Sequence, residues 1–402
     1  VFIADSKGKA PPSASCRFNP VLSAQPRTIF DVMSGLAREL GAVNLGQGFP
    51  DEDGAPDVRE FAARSLMADS NQYPPATGLI ELRQAVAGHY RRFQGLALDG
   101  DSEVVVTSGA TEALAAAILG LIAPGDEVVM FQPLYDAYLP LVRLAGATPR
   151  FVRLEPPHWR ITPEALEAAF GPKTKLVLFN NPLNPSAVVF PDEDLRLLAE
   201  ACVRHDVIAV CDEVWEHVVF DGRRHTPLMA LPGMRERTVK IGSAGKIFSL
   251  TGWKVGWACA AAPIAQAVAK AHAFLTFTTS PNLQRGVAYG LGKDPAYFAP
   301  ALQGFARSRD RLAAGLQAEG FAVLPSQGTY FLLLDLKASG IDVDDQTFAD
   351  RAVREAGVAT IPVSSFYAED AVTNVVRLCF SKKDSTLDAG IERLAKARKL
   401  FA

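Results

Sequence analysis

Between Glu103 and Ala260 short, almost wholly apolar runs alternate with longer segments of helical period, and this alternation admits few architectures. The short runs are Glu103 to Thr107, Glu127 to Phe131, Lys175 to Phe179, Val207 to Cys211, Thr238 to Ile241 and Val255 to Ala260. Helical spacing appears between them at Thr111 to Ile122, Tyr135 to Leu144 and Asp192 to Arg204. A strand that is apolar along its whole length is buried on both faces, so the pattern predicts an α/β fold with a mostly parallel sheet sandwiched by helices.

Beyond about Gly290 the texture changes. A long amphipathic helix runs through Arg307, Arg311 and Leu316, followed by Phe321 to Leu324, Thr329 to Leu334, a helix near Asp344 to Ala356, Val375 to Phe380 and a terminal helix. This reads as a smaller α+β unit. At 402 residues the chain exceeds the size at which one core stops growing, so two lobes are expected, with about three quarters of the unfolded surface buried. The expected organisation is an extended arm over 1–26, a large α/β domain over 56–290, and a small α+β domain assembled from 27–55 and 291–402.

Composition narrows the function classes. Forty-one Lys and Arg stand against 44 Asp and Glu, for a net charge of −3, and no basic run is dense enough to track a nucleic acid backbone. Apolar stretches such as Ala113 to Ala123 are shorter than a membrane span and end in Pro124-Gly125-Asp126. Cys16, Cys202, Cys211, Cys259 and Cys379 are odd in number and scattered, which suits reduced thiols, and none pairs with His at metal-ligand spacing. With no apolar signal stretch in Val1 to Pro26, the expectation is a cytoplasmic enzyme without metal.

Ligands of parallel sheets bind beyond the carboxyl ends of the strands. The residues that follow the runs are Ser108-Gly109-Ala110-Thr111, Asn180 to Pro185, Asp212 and Ser243 to Lys246. Four strand ends therefore carry polar or glycine-rich chemistry. In Ser243-Ala244-Gly245-Lys246-Ile247-Phe248-Ser249-Leu250-Thr251-Gly252-Trp253-Lys254, lysines, hydroxyls and glycines crowd one loop, able to hold a phosphate and a reactive amine together. An amine that forms a Schiff base must lose its proton near neutral pH, and Lys254 is placed to assist as a neighbouring cation. A nucleotide P-loop is excluded, because Lys240 stands where its first glycine belongs and Ile247 where its Ser or Thr belongs.

Together these residues resemble the class I aminotransferases among the fold type I pyridoxal phosphate enzymes, from about Asn44 to the C-terminus. The strings that carry the likeness are Asn44-Leu45-Gly46-Gln47-Gly48-Phe49-Pro50, Asn71-Gln72-Tyr73, Asp212-Glu213-Val214, Ser243-Ala244-Gly245-Lys246, Gly252-Trp253-Lys254 and Ile361-Pro362-Val363-Ser364. Within the group the chain looks closest to the kynurenine, glutamine and methionine aminotransferase branch. The resemblance implies a seven-stranded large-domain sheet, pyridoxal 5′-phosphate as cofactor, and a homodimer with a shared active site.

It also implies roles. Lys246 anchors the cofactor and shuttles the substrate's α-proton, and Asp212 pairs with the pyridine nitrogen. Asn184 reaches the phenolic oxygen, and Tyr135 stacks on the ring or is a core residue. Gly109, Ala110 and Thr111, at the start of a helix, hold the phosphate with Ser243 and Lys254. Tyr73 reaches the phosphate from a neighbouring subunit, or is a packed loop aromatic. Arg377, inside the apolar strand Val375 to Phe380, lacks an anion; the family supplies the substrate carboxylate, and an internal salt bridge is the alternative. Gly48, Phe30 and Phe366, the last with Tyr367, are placed around the substrate.

Two departures stand out. Trp215 occupies the place of a family tyrosine that helps hold the phenolic oxygen, and Ser186-Ala187 replaces the usual Thr-Gly. The expected activity is ping-pong transfer of an amino group from a neutral, aromatic or sulfur-containing L-amino acid to a 2-oxo acid. Alternatives are β-elimination from cysteine conjugates and a non-catalytic cofactor-binding sensor domain, the latter disfavoured by an N-terminal segment too short for a helix-turn-helix.

Overall fold

The computed structural model describes residues 18–401. Its thirteen strands are β1 (Val43–Asn44), β2 (Val104–Thr107), β3 (Glu127–Gln132), β4 (Thr148–Arg153), β5 (Thr174–Asn180), β6 (Ile208–Asp212), β7 (Thr238–Ser243), β8 (Gly256–Cys259), β9 (Ala322–Val323), β10 (Phe331–Asp335), β11 (Val358–Ala359), β12 (Ile361–Pro362) and β13 (Val375–Cys379). Seven form the main sheet, in the order β2-β8-β7-β6-β5-β3-β4. All neighbours are parallel except β8, which runs antiparallel to both β2 and β7. The six apolar runs read from the sequence are all strands of this sheet.

The seventh strand, β4, escaped that reading for a physical reason. It lies at the sheet edge, only Val152 is buried in it, and Pro149, Arg150 and Arg153 interrupt its apolar pattern. An edge strand needs one paired side only, so it tolerates proline and charge. The direction of β8 was equally unreadable. The segment between β7 and β8 contains no crossover helix long enough to return the chain to the far end of the sheet, only short turns at Ala244–Ile247 and Thr251–Trp253, so β8 runs back antiparallel.

Helices cover the sheet. Gly109–Leu121 lies against Ala262–Leu275, and Pro56–Ala68 packs on Pro281–Leu291. The C-terminal strands form a second, antiparallel sheet ordered β12-β13-β10-β9, backed by Ala299–Ala318 and Asp384–Arg398. The parallel pair β1 and β11 ties Val43 and Asn44 to Val358 and Ala359. The helix expected near Asp344 to Ala356 is α-helical over Asp345–Arg351 and continues as a π-turn over Ala352–Ala356. Of the segment expected as an extended arm, 1–17 lie outside the described residues, and Pro20–Ser23 is a helical turn capped by Asn19 rather than extended chain. Cys202, Cys211, Cys259 and Cys379 are buried and unpaired.

Candidate active site

The carboxyl ends of β2, β3, β5, β6 and β7 open on one side of the main sheet. Register places Asn180 beside Asp212, Asp212 beside Ile241, and Gly256 between Ser243 and Thr107. Neighbouring strands are about 4.8 Å apart, so side chains at successive ends fall within reach of one small molecule. A cavity of about 320 Å³ lies there. It brings together Lys246, Asp212, Asn184, Arg377, Ser243, Lys254, Gly109, Ala110, Thr111, Tyr135, Trp215, Gly48 and Phe30, all of them expected from the sequence.

One end of the cavity suits a phosphate. The helix Gly109–Leu121 begins there, and no side chain caps its first amides. Unpaired amides and the positive end of the helix dipole attract a dianion. Space for it is kept by glycine. A Cβ on Gly109, whose φ is +75°, would come 3.1 Å from Lys254 Cε and Nζ, and one on Gly256 would strike Gly109 C at 2.7 Å and Ala110 N at 2.8 Å. Lys254 is itself held in the left-handed region at φ 53°, at a cost of about 1–2 kcal/mol for a non-glycine residue. Ser243 completes this end, its Oγ accepting from the Gly245 amide at 3.2 Å.

At the other end, Asp212 closes β6 with its carboxylate buried. Tyr138 Oη donates to Oδ2 at 2.8 Å and the Val214 amide to Oδ1 at 3.4 Å. Burial pushes the Asp212 carboxyl up, opposed by those two hydrogen bonds and by Lys246. No Lys, Arg or His forms a salt bridge with it among the described residues. A buried carboxylate that faces the cavity and has no salt-bridge partner of its own fits a protonated ring nitrogen.

Lys246 follows β7 in the turn Ala244–Ile247. Its amine is brought down to about 8, first by burial, with Arg377 and then Lys254 adding to the effect while Cys379 and Asp212 oppose it. Lys254 assists as expected, but burial dominates. At pH 7 about a tenth of such amines are neutral, against about one in three thousand for an ordinary lysine. Nζ donates to Tyr330 Oη at 2.9 Å, and Tyr330 Oη donates to the Gly48 carbonyl at 2.6 Å.

Arg377, in the middle of β13, is 1% exposed. Its Nη1 donates to Asn184 Oδ1 at 2.8 Å and its Nη2 to the Gly46 carbonyl at 2.9 Å, while Nε has no partner. The guanidinium lies 3.9 Å from the Phe331 ring centre, 5.1 Å from Phe30 and 5.3 Å from Phe366. Burial lowers it to about 10, still charged at neutral pH. Among the described residues no Asp or Glu forms a salt bridge with it, which removes the internal ion pair left open by the sequence. A planar fork with spare donors, facing a cavity and ringed by phenylalanines, suits a carboxylate.

Some expected residues sit elsewhere. Phe366 is buried behind Phe30, edge-on at 5.8 Å, and supports the wall without lining it. Tyr367 turns away, its hydroxyl donating to the Leu154 carbonyl. Tyr73 does not line the cavity of its own chain; it is 81% exposed and meets Phe277 edge-on. Trp215 packs edge-on against Tyr330, with its ring 4.6 Å from Lys246 Nζ.

The sequence reading gave no role to Tyr330, Phe331 or Tyr138, and named Gln47 and Asn180 only within longer strings. Tyr138 stands three residues after Tyr135, at the first position of the helix Tyr138–Leu144, and the two rings meet edge-on at 5.6 Å. It also missed a buried ionic cluster directly behind Asp212. Lys240 Nζ bonds Glu213 and, at 2.7 Å, Glu216, and His225 Nε2 is 3.1 Å from Glu213. Ligand atoms of Glu213, Glu216 and His225 lie within 4.8 Å of one another, a spacing open to a metal, but a lysine ammonium already bridges both carboxylates.

An electron-withdrawing pyridine ring with a phosphate tail matches both ends of the cavity, and the lysine between them defines a pyridoxal phosphate enzyme of fold type I. The family model for aminotransferase class I and II matches residues 41–394. Methionine aminotransferase of Escherichia coli is 41% identical over 367 residues, covering 91% of this chain and 95% of that protein. A kynurenine–oxoglutarate transaminase of Dictyostelium discoideum is 35% identical over 404 residues, covering 91% and 93%. The solved N-succinyldiaminopimelate aminotransferase of Mycobacterium tuberculosis superposes with a TM-score of 0.91 at 43% identity, covering 95% of this chain and all of that one. The chain belongs to the class I and II aminotransferases. It is a pyridoxal phosphate-dependent transaminase whose substrates are amino acids and 2-oxo acids.

Proposed function

We propose that this transaminase takes its amino group from neutral, aromatic or sulfur-containing L-amino acids and works as a cytoplasmic homodimer. The observation that carries the substrate reading is the small number of cations in the cavity. Among the described residues that line it, only Lys246, Lys254 and Arg377 are Lys or Arg, and each is already committed, to the amine chemistry, the phosphate and the substrate carboxylate in turn. A second carboxylate on the substrate side chain would be desolvated without a partner, at a cost of several kcal/mol. The remaining wall is aromatic, with Phe30, Tyr135, Trp215 and Phe331.

The residues divide the work as follows. Pyridoxal phosphate, when bound, withdraws the electron pair left by breaking the substrate Cα–H bond. Asp212 keeps a proton on the ring nitrogen, and Tyr138 fixes the carboxylate for that purpose. The amides of Gly109, Ala110 and Thr111, with Ser243 and Lys254, grip the phosphate. Lys246, neutral often enough at pH 7 to act as a base, would take the α-proton and return it two bonds away, on the far side of the amino nitrogen. Arg377 binds the substrate carboxylate, and Asn184, whose Oδ1 already holds Arg377, leaves its amide N–H groups for the phenolic oxygen. The dimer reading is supported by an exposed apolar group, Met67, Tyr73 and Phe274, the last 93% exposed, which a second copy would cover. No described helix is long and apolar enough to cross a membrane.

Single half-reactions on the purified holoenzyme test the reading, with the cofactor absorption band followed for each amino acid. Methionine, phenylalanine, kynurenine and glutamine should convert it fastest; equal efficiency with aspartate or glutamate would refute the inference from the cations. N-succinyldiaminopimelate belongs in the panel because of the Mycobacterium relative. Pyruvate and ammonia released from a cysteine conjugate would report elimination. Borohydride should trap a covalent adduct at Lys246, and Lys246→Ala should abolish it.

A further inference from the structure

We propose that Tyr330 is the positioning residue for the Lys246 amine in its unattached state, holding Nζ against Trp215 and receiving it when it becomes an ammonium. This rests on the reading of Lys246 as the reacting amine. Tyr330 immediately precedes β10 and is 1% exposed. Its hydroxyl has one proton, which goes to the Gly48 carbonyl at 2.6 Å, so toward Lys246 it can only accept. Nζ lies 2.9 Å away on that accepting side. A neutral amine whose own lone pair seeks a donor finds none there, whereas an ammonium finds a fixed acceptor.

Trp215 adds to the same preference. Its ring packs edge-on against Tyr330 at 4.3 Å between centres and lies 4.6 Å from Nζ, where the π-face attracts a cation. Trp215 carries no hydroxyl, and the hydroxyl next to the amine is that of Tyr330, just before β10. The other charged or titratable groups facing Nζ are Asp212 at the end of β6, Arg377 and Cys379 on β13, and Lys254 beyond the lysine turn. Tyr330 differs from all of these in contributing direction as well as potential. A base that must collect a proton from one carbon and release it at another two bonds away needs its Nζ aimed, and the hydroxyl exchanges no proton in doing so.

The test uses full-length protein reconstituted with pyridoxamine 5′-phosphate, the amine form of the cofactor, which leaves Lys246 unattached without any choice of substrate. Competitive acetylation with acetic anhydride across pH, read at position 246 by peptide mass spectrometry, gives the ionisation of this one amine. In Tyr330→Phe the ammonium loses a charge-assisted acceptor, so the Lys246 pKa should fall by about one unit, a tenfold change in its ionisation constant. The primary deuterium isotope effect with a Cα-deuterated donor should also rise, as proton transfer from a less directed base becomes slower. An unchanged Lys246 ionisation in a folded Tyr330→Phe protein overturns the proposal. Should that variant fail to fold, 4-fluorophenylalanine at position 330 keeps the ring and fills the place of the hydroxyl with a poor acceptor; a fall in the same direction supports the proposal, and no fall overturns it. Failure of the underlying reading looks different: wild-type enzyme loaded with pyridoxal phosphate would give no borohydride adduct at 246.

Discussion

Lys240→Met removes one charge from the interior behind Asp212 and leaves a side chain of similar length. In the wild type, Lys240 Nζ bonds Glu213 and Glu216 and lies 4.6 Å over the Tyr90 ring, and all three ionic side chains are fully buried. Glu213 further accepts from the Leu228 amide at 3.0 Å, and Glu216 from Tyr90 Oη at 3.0 Å. Without the lysine two carboxylates share a water-free site with no strong cation. Breaking a buried ion pair from one side costs about 3–5 kcal/mol, which is a large part of the stability of an ordinary domain.

The pH dependence separates charge from packing. Burial alone pushes the Glu213 carboxyl up, but Lys240 and then His225 more than offset it and hold it at about 2. Glu216 is held down and Lys240 held up by the same partners. Depressed carboxyls contribute stability that is complete above their unfolded value and is lost as pH falls through the folded one. The raised lysine contributes below its unfolded value and loses its contribution as pH rises through the folded one. Between about pH 5 and 8 Lys240, Glu213 and Glu216 therefore add no slope. In Lys240→Met burial acts unopposed, the carboxyls rise, and the variant gains stability as pH falls and they take up protons. Equilibrium urea unfolding of cofactor-saturated protein at pH 5.5 and 8 should show a deficit that shrinks toward acid. The triple variant with Glu213→Gln and Glu216→Gln should recover most of the loss. A deficit below about 1 kcal/mol, or one that grows toward acid, would refute the reasoning.

Three further outcomes follow from the site. Arg377→Lys loses the fork that Asn184 and Gly46 orient, about 1.5–3 kcal/mol, so kcat/KM for the amino donor should fall roughly ten- to a hundredfold, mostly through KM. Tyr138→Phe strips a hydrogen bond from the Asp212 carboxylate, so its pKa should rise, and on acidification cofactor affinity measured by equilibrium dialysis should begin to fail at a higher pH than in the wild type. Gly109→Ala places a methyl 3.1 Å from Lys254 Nζ at a left-handed backbone position, so the cofactor dissociation constant should rise at least about tenfold while unfolding stability drops by only about 1 kcal/mol.

How far the sequence reaches depends on whether a residue's role is local. The central strands were legible because burial on both faces leaves an uninterrupted apolar run, and the strand ends were legible because a parallel sheet puts its ligands there. Edge strand β4 and the two-residue strands β1, β11 and β12 were not, since half-exposed or very short pairs leave no pattern. Tyr330 was missed for a different reason. It reads as one more aromatic before an apolar strand, and only the approach of Gly48 and Lys246, distant in the chain, gives its hydroxyl partners.

Lys240 and Arg377 show where the limit lies. Each is a lone cation within an apolar strand, Thr238–Ser243 and Val375–Cys379, and the cost of an unpaired buried charge demands an anion for both. In the sequence Arg377 stands out on that ground, whereas Lys240 stands out only as the residue that excludes a P-loop. Applied equally, the cost of burial predicts two missing anions without saying which comes from within the chain. The fold decides. Asp212 ends β6 and Glu213 follows it, and the two side chains take different surroundings. Asp212 faces the cavity, while Glu213, with Glu216 three residues on, faces Lys240 and neutralises it. Asp136 acts on Arg377 only at longer range and no acid among the described residues forms a salt bridge with it, which leaves the fork open to the carboxylate of the proposed substrate. A buried cation in a strand thus marks either a structural pair or a binding site, and the difference is set by which carboxylates the neighbouring strand end turns toward it.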